Sequence, residues 1–353
     1  MVEIVFAHDQ TLQLIEDHEI KVHASQSRRG YLGMSQIGDE CSRKLWYSFR
    51  FAFRQNINAY GLRCIEDGHR MEEVMANKLR SVPGITLYTV NPRTGAQFGY
   101  YAHGGHFSGH IDGAILGVAE APKTWHVWEH KSVNEKKFAC LQKGMSLEGW
   151  DKIYYAQAQC YMHYAGLDRH YLTVTTPGGR NRTSCRTKYS KEDALRLEAK
   201  ALEIIKSDLP PKRISDNQSF YVCKMCDAHA ICHKKKTANV NCRTCLHSQP
   251  DVSSEGARWN CKFHGIQISL KQQEEGCDKH LFNPSFVGHG KPIDASKQAN
   301  TVTYETESGT TFLNGSPGPG CYSSKELEQI KTEMIKDPKI EALREKFDAR
   351  VVG

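Results

Sequence analysis

The chain has 353 residues, a formal net charge of +7 and a hydrophobic fraction of 39%. That length suits one large domain with an accessory module, or two domains, and the charge fits a polyanionic partner without requiring one. No run approaches the ~20 apolar residues of a membrane span, which excludes a helical membrane protein.

Met1-Val2-Glu3-Ile4-Val5-Phe6 lacks the basic region and apolar block of a secretion signal, so a cytoplasmic protein is expected. Residues up to about Gly33 are mixed and partly basic, with Arg28-Arg29 among them. A helix is expected from Ser35, carrying Cys41 through Tyr47. A second is expected over 65–79, where Ile65, Met75 and Leu79 share a face with Met71 close by. Glycine- and aromatic-rich strands follow over 97–101, 107–116 and 124–130. Residues 150–164 read as a helix, with Leu167 closing it after Gly166. Residues 171–175 read as a β-branched strand stopped by Pro177-Gly178-Gly179. A helix over 191–207 is capped by Ser190 and ended by Pro210-Pro211. This order predicts a mixed α/β core with helices on both faces. After Pro284 the chain is glycine-rich and polar, with a strand over 301–305 and a charged helix over 324–347 broken near Pro338.

Asp112, in Gly109-His110-Ile111-Asp112-Gly113, and Glu129 with Lys131, in Val127-Trp128-Glu129-His130-Lys131, form a D…ExK pattern. Two adjacent strands can bring these groups together. Metal-dependent hydrolysis of a phosphodiester needs that trio. The acids hold a hard cation, and the lysine steadies the attacking water or the charge on the phosphate. The plainer alternative is an aspartate in a turn and two surface side chains on a strand.

On the second helix His69 stands three and four residues before Glu72 and Glu73. That face presents an imidazole beside a carboxylate, suited to manganese or a similar ion, or else a solvated polar surface. Gln157 and Tyr161 share one face of a later helix. Their amide and phenol can hold a phosphate or a nucleotide edge, or fix the lysine. Packing on the sheet is the alternative, and it is the expectation for Tyr154, Tyr155 and Tyr164.

Thirteen cysteines in a chain with no secretion signal point to metal rather than disulfides. Cys223-x2-Cys226-x5-Cys232 supplies three thiolates. A remote fourth, for which Cys41 is the natural choice, suits an iron–sulfur cluster; a zinc knuckle using His229 or His233 is the alternative. Cys242-x2-Cys245, Cys261 and Cys277 can close a tetrahedral zinc site, with His247, His264 and His280 nearby. His280 or His264 could replace a cysteine there, and a loop of unligated thiols is the other reading. So few apolar residues accompany this group that a metal is expected to organise it. Lys262, Lys271 and Lys279 either grip DNA or form a solvated face. Cys64, Cys140, Cys160, Cys185 and Cys321 show no ligand spacing and read as free thiols.

Taken in order, Cys41, His69, Asp112, Glu129-x-Lys131, Gln157-x3-Tyr161 and Cys223-x2-Cys226-x5-Cys232 resemble the PD-(D/E)XK nuclease superfamily over about residues 30–235. One plus three cysteines enclosing the nuclease motifs is similar to the RecB-like iron–sulfur branch. That branch includes the CRISPR-associated RecB-like exonucleases and the AddB nuclease domain. The resemblance implies an α/β, restriction-endonuclease-like core: a mixed central sheet flanked by helices and closed by an iron–sulfur cluster. It implies Mg²⁺ or Mn²⁺ on His69, Asp112, Glu129 and the main-chain carbonyl of His130, with Lys131 as the catalytic lysine. Gln157 and Tyr161 match the family's QxxxY motif. Cys41, Cys223, Cys226 and Cys232 would bind a [4Fe–4S] cluster of mainly structural role. The proline of the superfamily's name is absent; Gly109-His110-Ile111 precedes Asp112, a version common in this branch.

The expected domains are a nuclease domain over 1–235, a cysteine-rich zinc module over 236–284 and an extension of unknown role over 285–353. The expected activity is a metal-dependent DNA exonuclease of phage or bacterial replication, recombination or repair, working in a bacterial or phage-infected cell. Its expected partners are DNA, replication or recombination proteins, and further copies of the chain, since some relatives form rings around DNA. Arg28, Arg29, Arg43 and Lys44 are candidates for tracking the DNA backbone. A structure-specific endonuclease and a DNA-binding module that does not cut are the rivals. No acid or lysine of the motif is lost, which favours an enzyme.

Overall fold

In the computed structural model, which describes residues 9–318, 320–347 and 349–351, the chain packs into two units that interleave along the sequence. The first runs through Arg29, then takes Asn56–Tyr100 and Gly109–Leu197. The second takes Gly30–Gln55, Tyr101–Ser108 and Glu198 onward. Packing therefore groups the Cys41 segment with both later cysteine groups and with the residues after Pro284.

The first unit contains helices α1 (Gln10–Ser25), α2 (Ala59–Arg80), α3 (Glu135–Gln142) and α4 (Lys152–Ala165). Its strands are β1 (Thr86–Tyr88), β2 (Gly113–Leu116), β3 (His126–Ser132), β4 (Arg169–Thr175) and β5 (Arg182–Lys188), hydrogen-bonded in that order. β3 and β4 pair in parallel and the other neighbours antiparallel. A parallel pair needs a crossover, and α3 and α4 supply it. β3 is buried from His126 to His130, as a central strand with both faces covered should be. Met75, Ala76 and Leu79 of α2 pack with Leu87, Ile115, Val118 and Trp128. The Asn58 side chain caps α2 by accepting from Gly61 N–H, so this helix begins earlier than its apolar period suggests.

Two expectations need correction here. The strand over 107–116 is two strands, Phe107–His110 and β2, because Ile111 N–H turns to Phe98 O and Asp112 turns its carboxylate to β3. Gly113 permits the close pairing that follows; a Cβ there would lie 2.8 Å from Tyr88 O. The helix expected from Ser35 begins at Ser42, with Cys41 as its cap: the sulfur accepts from Lys44 N–H at 3.4 Å. α1 and β5 were not anticipated at all.

In the second unit, Leu32 and Gly33 pair in parallel with Phe107 and Ser108. Strands Ser248–Pro250, Trp259–Cys261 and Ile266–Ile268 form an antiparallel sheet. The expected strand over 301–305 lies inside a four-stranded sheet with Lys291–Ser296, Thr311–Asn314 and Cys321–Tyr322. The expected terminal helix is two helices, Ser324–Gln329 and Pro338–Phe347. The break lies ahead of Pro338, where Lys336 takes a positive φ of 61°.

Arg243 holds the middle of this unit at 1% exposure. Its guanidinium donates to Phe49 O and Gly30 O at 2.8 Å and to Gln273 Oε1 at 2.7 Å. It lies 4.0 Å from the Phe51 ring centroid and 4.8 Å from that of Trp259. Truncation orphans buried acceptors, so Arg243→Ala is expected to cost about 3 kcal/mol or more. Arg243→Lys recovers only part of this, since a point ammonium cannot span the fork. Denaturant midpoints measure both, and an Ala variant as stable as the parent removes Arg243 from this role.

Candidate active site

Strand alternation places Glu129 and Lys131 on one face of β3 and Trp128 and His130 on the other. Asp112 sits at the break before β2, and β2 pairs with β3 through Gly113 and Trp128. Its carboxylate accepts the main-chain N–H of His130 at 2.9 Å, which ties the two acidic positions together.

Glu129 is buried at 4% exposure. Its Oε1 accepts from the Lys131 ammonium and from Gln157 Nε2, the latter at 2.8 Å. Its Oε2 is buried and has no hydrogen-bond partner among the described residues. Burial, then the charges of Asp112 and Glu72, push this carboxyl up to about 8 against the pull of Lys131. Burial likewise raises Asp112, opposed by Lys131, the His130 N–H and His69. Glu72 is pushed up to about 7, first by burial and then by Asp112. Burial works against the Lys131 ammonium, but Glu129 and Asp112 outweigh it and hold the lysine protonated beyond its usual range. The Tyr154 ring centroid lies 5.5 Å from Lys131 Nζ.

Gln157 and Tyr161 are buried on α4 beside this cluster. Burial and the Glu129 charge push the Tyr161 phenol up, while its hydrogen bond with Gln157 acts the other way. His69 is exposed, yet close enough for its charge to stabilise the Asp112 anion. α2 is held in place by Asp67, which accepts from Ser132 Oγ at 3.2 Å. Met71 packs where a Cβ on Gly179 would lie 2.9 Å from its sulfur.

The His130 side chain lies on the opposite face, at 3.1 Å from Thr173 Oγ1 and 3.3 Å from Thr175 Oγ1. Thr173 Oγ1 accepts from Trp128 Nε1 and donates to Glu129 O. One hydroxyl has one proton, so His130 donates from Nδ1 and accepts at Nε2. Burial and Lys131 push this imidazole down to about 4, and it stays neutral. His130 can therefore serve the acidic cluster only through its main chain.

The structure thus brings together Asp112, Glu129, Lys131, Gln157, Tyr161 and His69, and it adds Glu72. Glu72 and Glu73 were equal candidates by spacing. Glu73 is exposed, whereas Glu72 is half-buried and feels Asp112. Among the described residues no three His, Cys, Asp or Glu side chains close on one point as a finished metal cage. The chemistry nevertheless fits a hard divalent ion. Buried carboxylates raised in pKa, Glu72 and Glu129 partly by the Asp112 charge, and an orphaned buried oxygen on Glu129 are groups that such a charge would stabilise.

In the second unit, Cys41, Cys223, Cys226 and Cys232 line one cavity of about 310 Å³, with Arg43, Lys44 and Tyr47. Burial raises the Cys223 thiol, and so do Cys41 and Cys232; Cys226 is raised by burial and by Cys41. This donor set fits a thiolate-bound group. His229 and His233 line the same cavity; His229 Nε2 is 3.1 Å from Gln218 O, and His233 Nε2 is buried without a hydrogen-bond partner among the described residues. Cys242, Cys245, Cys261 and Cys277 line another cavity of about 270 Å³, with His247, His264 and His280.

No family model and no curated protein matches the chain. Among solved structures it is similar to SSO0001, at 14% identity and a TM-score of 0.39 over 63% of this chain and 96% of that one. It is also similar to an alkaline exonuclease (LHK-Exo) from Laribacter hongkongensis, at 15% identity and a TM-score of 0.36 over 53% of this chain and 90% of that one. LHK-Exo in complex with dAMP gives 14% identity and a TM-score of 0.35 over 50% and 86%. Scores of this size carry no functional weight.

Glu129 binds its proton more tightly folded than unfolded, since its carboxyl rises from 4.5 to about 8. Its contribution to stability is therefore complete below about pH 4.5 and lost as pH rises through about 8. In protein stripped of divalent ions, the thermal midpoint of Glu129→Gln should fall less than that of the parent between about pH 5 and pH 8. Calorimetry at stepped pH checks this, and parallel curves for the two proteins overturn it.

Proposed function

We propose that this chain is a metal-dependent deoxyribonuclease of the RecB-like PD-(D/E)XK kind, acting as an exonuclease. One observation carries the reading: Glu72, Asp112 and Glu129 crowd together with a protonated Lys131 in contact with Glu129. A structural cluster has no need of a third repelling acid. A site for cation and phosphate does.

Asp112, Glu129, the His130 carbonyl and His69, joined by Glu72, are the residues that would hold Mg²⁺ or Mn²⁺. Bound there, such an ion lowers the pKa of water and neutralises charge on the phosphate. Gln157 occupies one oxygen of Glu129 and leaves the other open for ligation. Lys131 stays charged, offering its ammonium to the attacking oxygen or to the negative charge that grows on phosphorus. Glu129 and the Tyr154 ring hold that ammonium in place. Tyr161 stays a neutral phenol against Gln157 and fixes the amide. Cys41, Cys223, Cys226 and Cys232 would hold a [4Fe–4S] cluster that fastens the helix Ser42–Phe49 to the segment 221–233. DNA is the substrate in this reading. Replication or recombination proteins and further copies of the chain are its partners.

Lys131→Ala is expected to lower Mn²⁺-dependent cleavage of linear DNA by about 10²–10³-fold with the fold intact by circular dichroism. Cleavage at the parental rate rejects the assignment. Circular single-stranded DNA should survive the parent enzyme, and its digestion would make the enzyme an endonuclease. Protein purified without oxygen should be brown, with about four irons per chain, and Cys226→Ser should lose them. A colourless protein with zinc on these cysteines overturns the cluster in favour of the histidine knuckle.

A further inference from the structure

The second cysteine group is joined to a feature that the nuclease reading does not use. Its thiols come from separate elements. Cys242 opens a helical turn over Cys242–Thr244, Cys245 follows that turn, Cys261 ends the strand Trp259–Cys261, and Cys277 follows the helix Leu270–Glu275. All four line the cavity of about 270 Å³. The histidines around it differ in what they have left to give. His280 Nε2 lies 2.9 Å from the main-chain Asn241 O, so that nitrogen carries a proton, while its Nδ1 is buried without a hydrogen-bond partner among the described residues. His247 Nε2 is engaged by Asn300 Oδ1 at 2.7 Å. His264 stands at the rim, its N–H 3.5 Å from Cys261 Sγ and its Nε2 3.7 Å from Cys277 Sγ. The four cysteines supply soft sulfur donors around one cavity, a set that suits tetrahedral zinc.

The hairpin footed in this group reaches back to an earlier segment of the same unit. Cys261 pairs with Ser248, three residues beyond Cys245, so the thiols sit at the open end of the strands. At the other end, the loop over 251–258 closes on the turn His103–Gly105 and on His106. Ala257 N–H donates to Gly104 O at 2.7 Å. His106 is fully buried, and its Nε2 lies 3.2 Å from Asp251 O and 3.0 Å from Arg258 O. The fit leaves no room for side chains. A Cβ on Gly104 would lie 2.5 Å from Ser254 O, and one on Gly105 would lie 2.9 Å from Ala257 N. The loop itself is Asp251-Val252-Ser253-Ser254-Glu255-Gly256-Ala257-Arg258, poor in apolar surface and folded on the Asp251 carboxylate, which accepts from Ser253 Oγ at 2.6 Å and Ser254 Oγ at 2.8 Å.

We propose that Cys242, Cys245, Cys261 and Cys277 bind one Zn²⁺, and that this ion keeps the hairpin closed as a clamp on the segment His103–His106. The clamp secures the chain just before the strand Phe107–His110. It does not depend on the nuclease reading, and its test reads metal content and backbone exchange rather than activity.

The dialysed full-length protein should retain one zinc on this group. Replacement by Co²⁺ should give the charge-transfer bands of four thiolates, and Cys261→Ser should lose the ion. Hydrogen exchange in residues 104–108 and 251–258 should then rise together, on the order of tenfold. Should that variant fail to fold, removing zinc from the parent with a chelator gives the same comparison. Gly104→Ala supplies the reverse test: it should keep its zinc yet exchange faster in both segments. A protein without zinc here, a cobalt spectrum showing a nitrogen ligand, or exchange unchanged by zinc removal would each overturn the proposal.

Discussion

Repulsion among three carboxylates is the constraint around which the first unit is built. Glu72, Asp112 and Glu129 come from a helix, a strand break and a central strand. All three are raised by burial, Glu72 and Glu129 further by Asp112, and Glu129 by Glu72 as well. Such groups separate unless the backbone forbids it. Here the antiparallel pairing of β2 with β3 and the His130 N–H bond to Asp112 forbid it. α2 cannot swing away either, because its apolar face is fastened to Trp128 and its Asp67 to Ser132. Lys131 relieves part of the repulsion and is itself fixed by doing so.

Much of this cluster was legible in the sequence because its chemistry is carried by short motifs. D…ExK places acid and amine at strand spacing, and Gln157 and Tyr161 recur at helical spacing. What escaped was whatever rests on tertiary contact. Glu72 and Glu73 are adjacent letters, and only the packing of α2 decides which one turns inward. The break at Ile111 is likewise invisible, since its apolar letters suit an unbroken strand. β5 reads Arg182-Thr183-Ser184-Cys185-Arg186-Thr187-Lys188, with no apolar period to announce it, yet it pairs with β4 along its whole length. α1 escaped for the same reason, because it buries none of its residues.

The second unit follows a different logic. Its interior holds buried guanidiniums, Arg243 and Arg50, among aromatic rings and main-chain carbonyls, a pattern no hydropathy reading detects. Arg243 lies between Cys242 and Cys245, so the same short stretch supplies two thiols and the central cation of the core. Spacing singled out the cysteines, and the two groups line two cavities. Packing groups the chain by contact rather than by motif order, so that Gly30–Gln55 shares a unit with Glu198 onward.

β3 carries one further consequence. Its odd and even positions serve unrelated ends: Glu129 and Lys131 face the acids, while His130 and Trp128 share the Thr173 hydroxyl on the far side. Inserting or deleting a single residue would trade the two sets, sending an imidazole and an indole among the carboxylates and the acid and amine among the threonines. This stretch can therefore change by substitution but not in length. Any divergence in size among descendants of this chain must accumulate in its connecting segments.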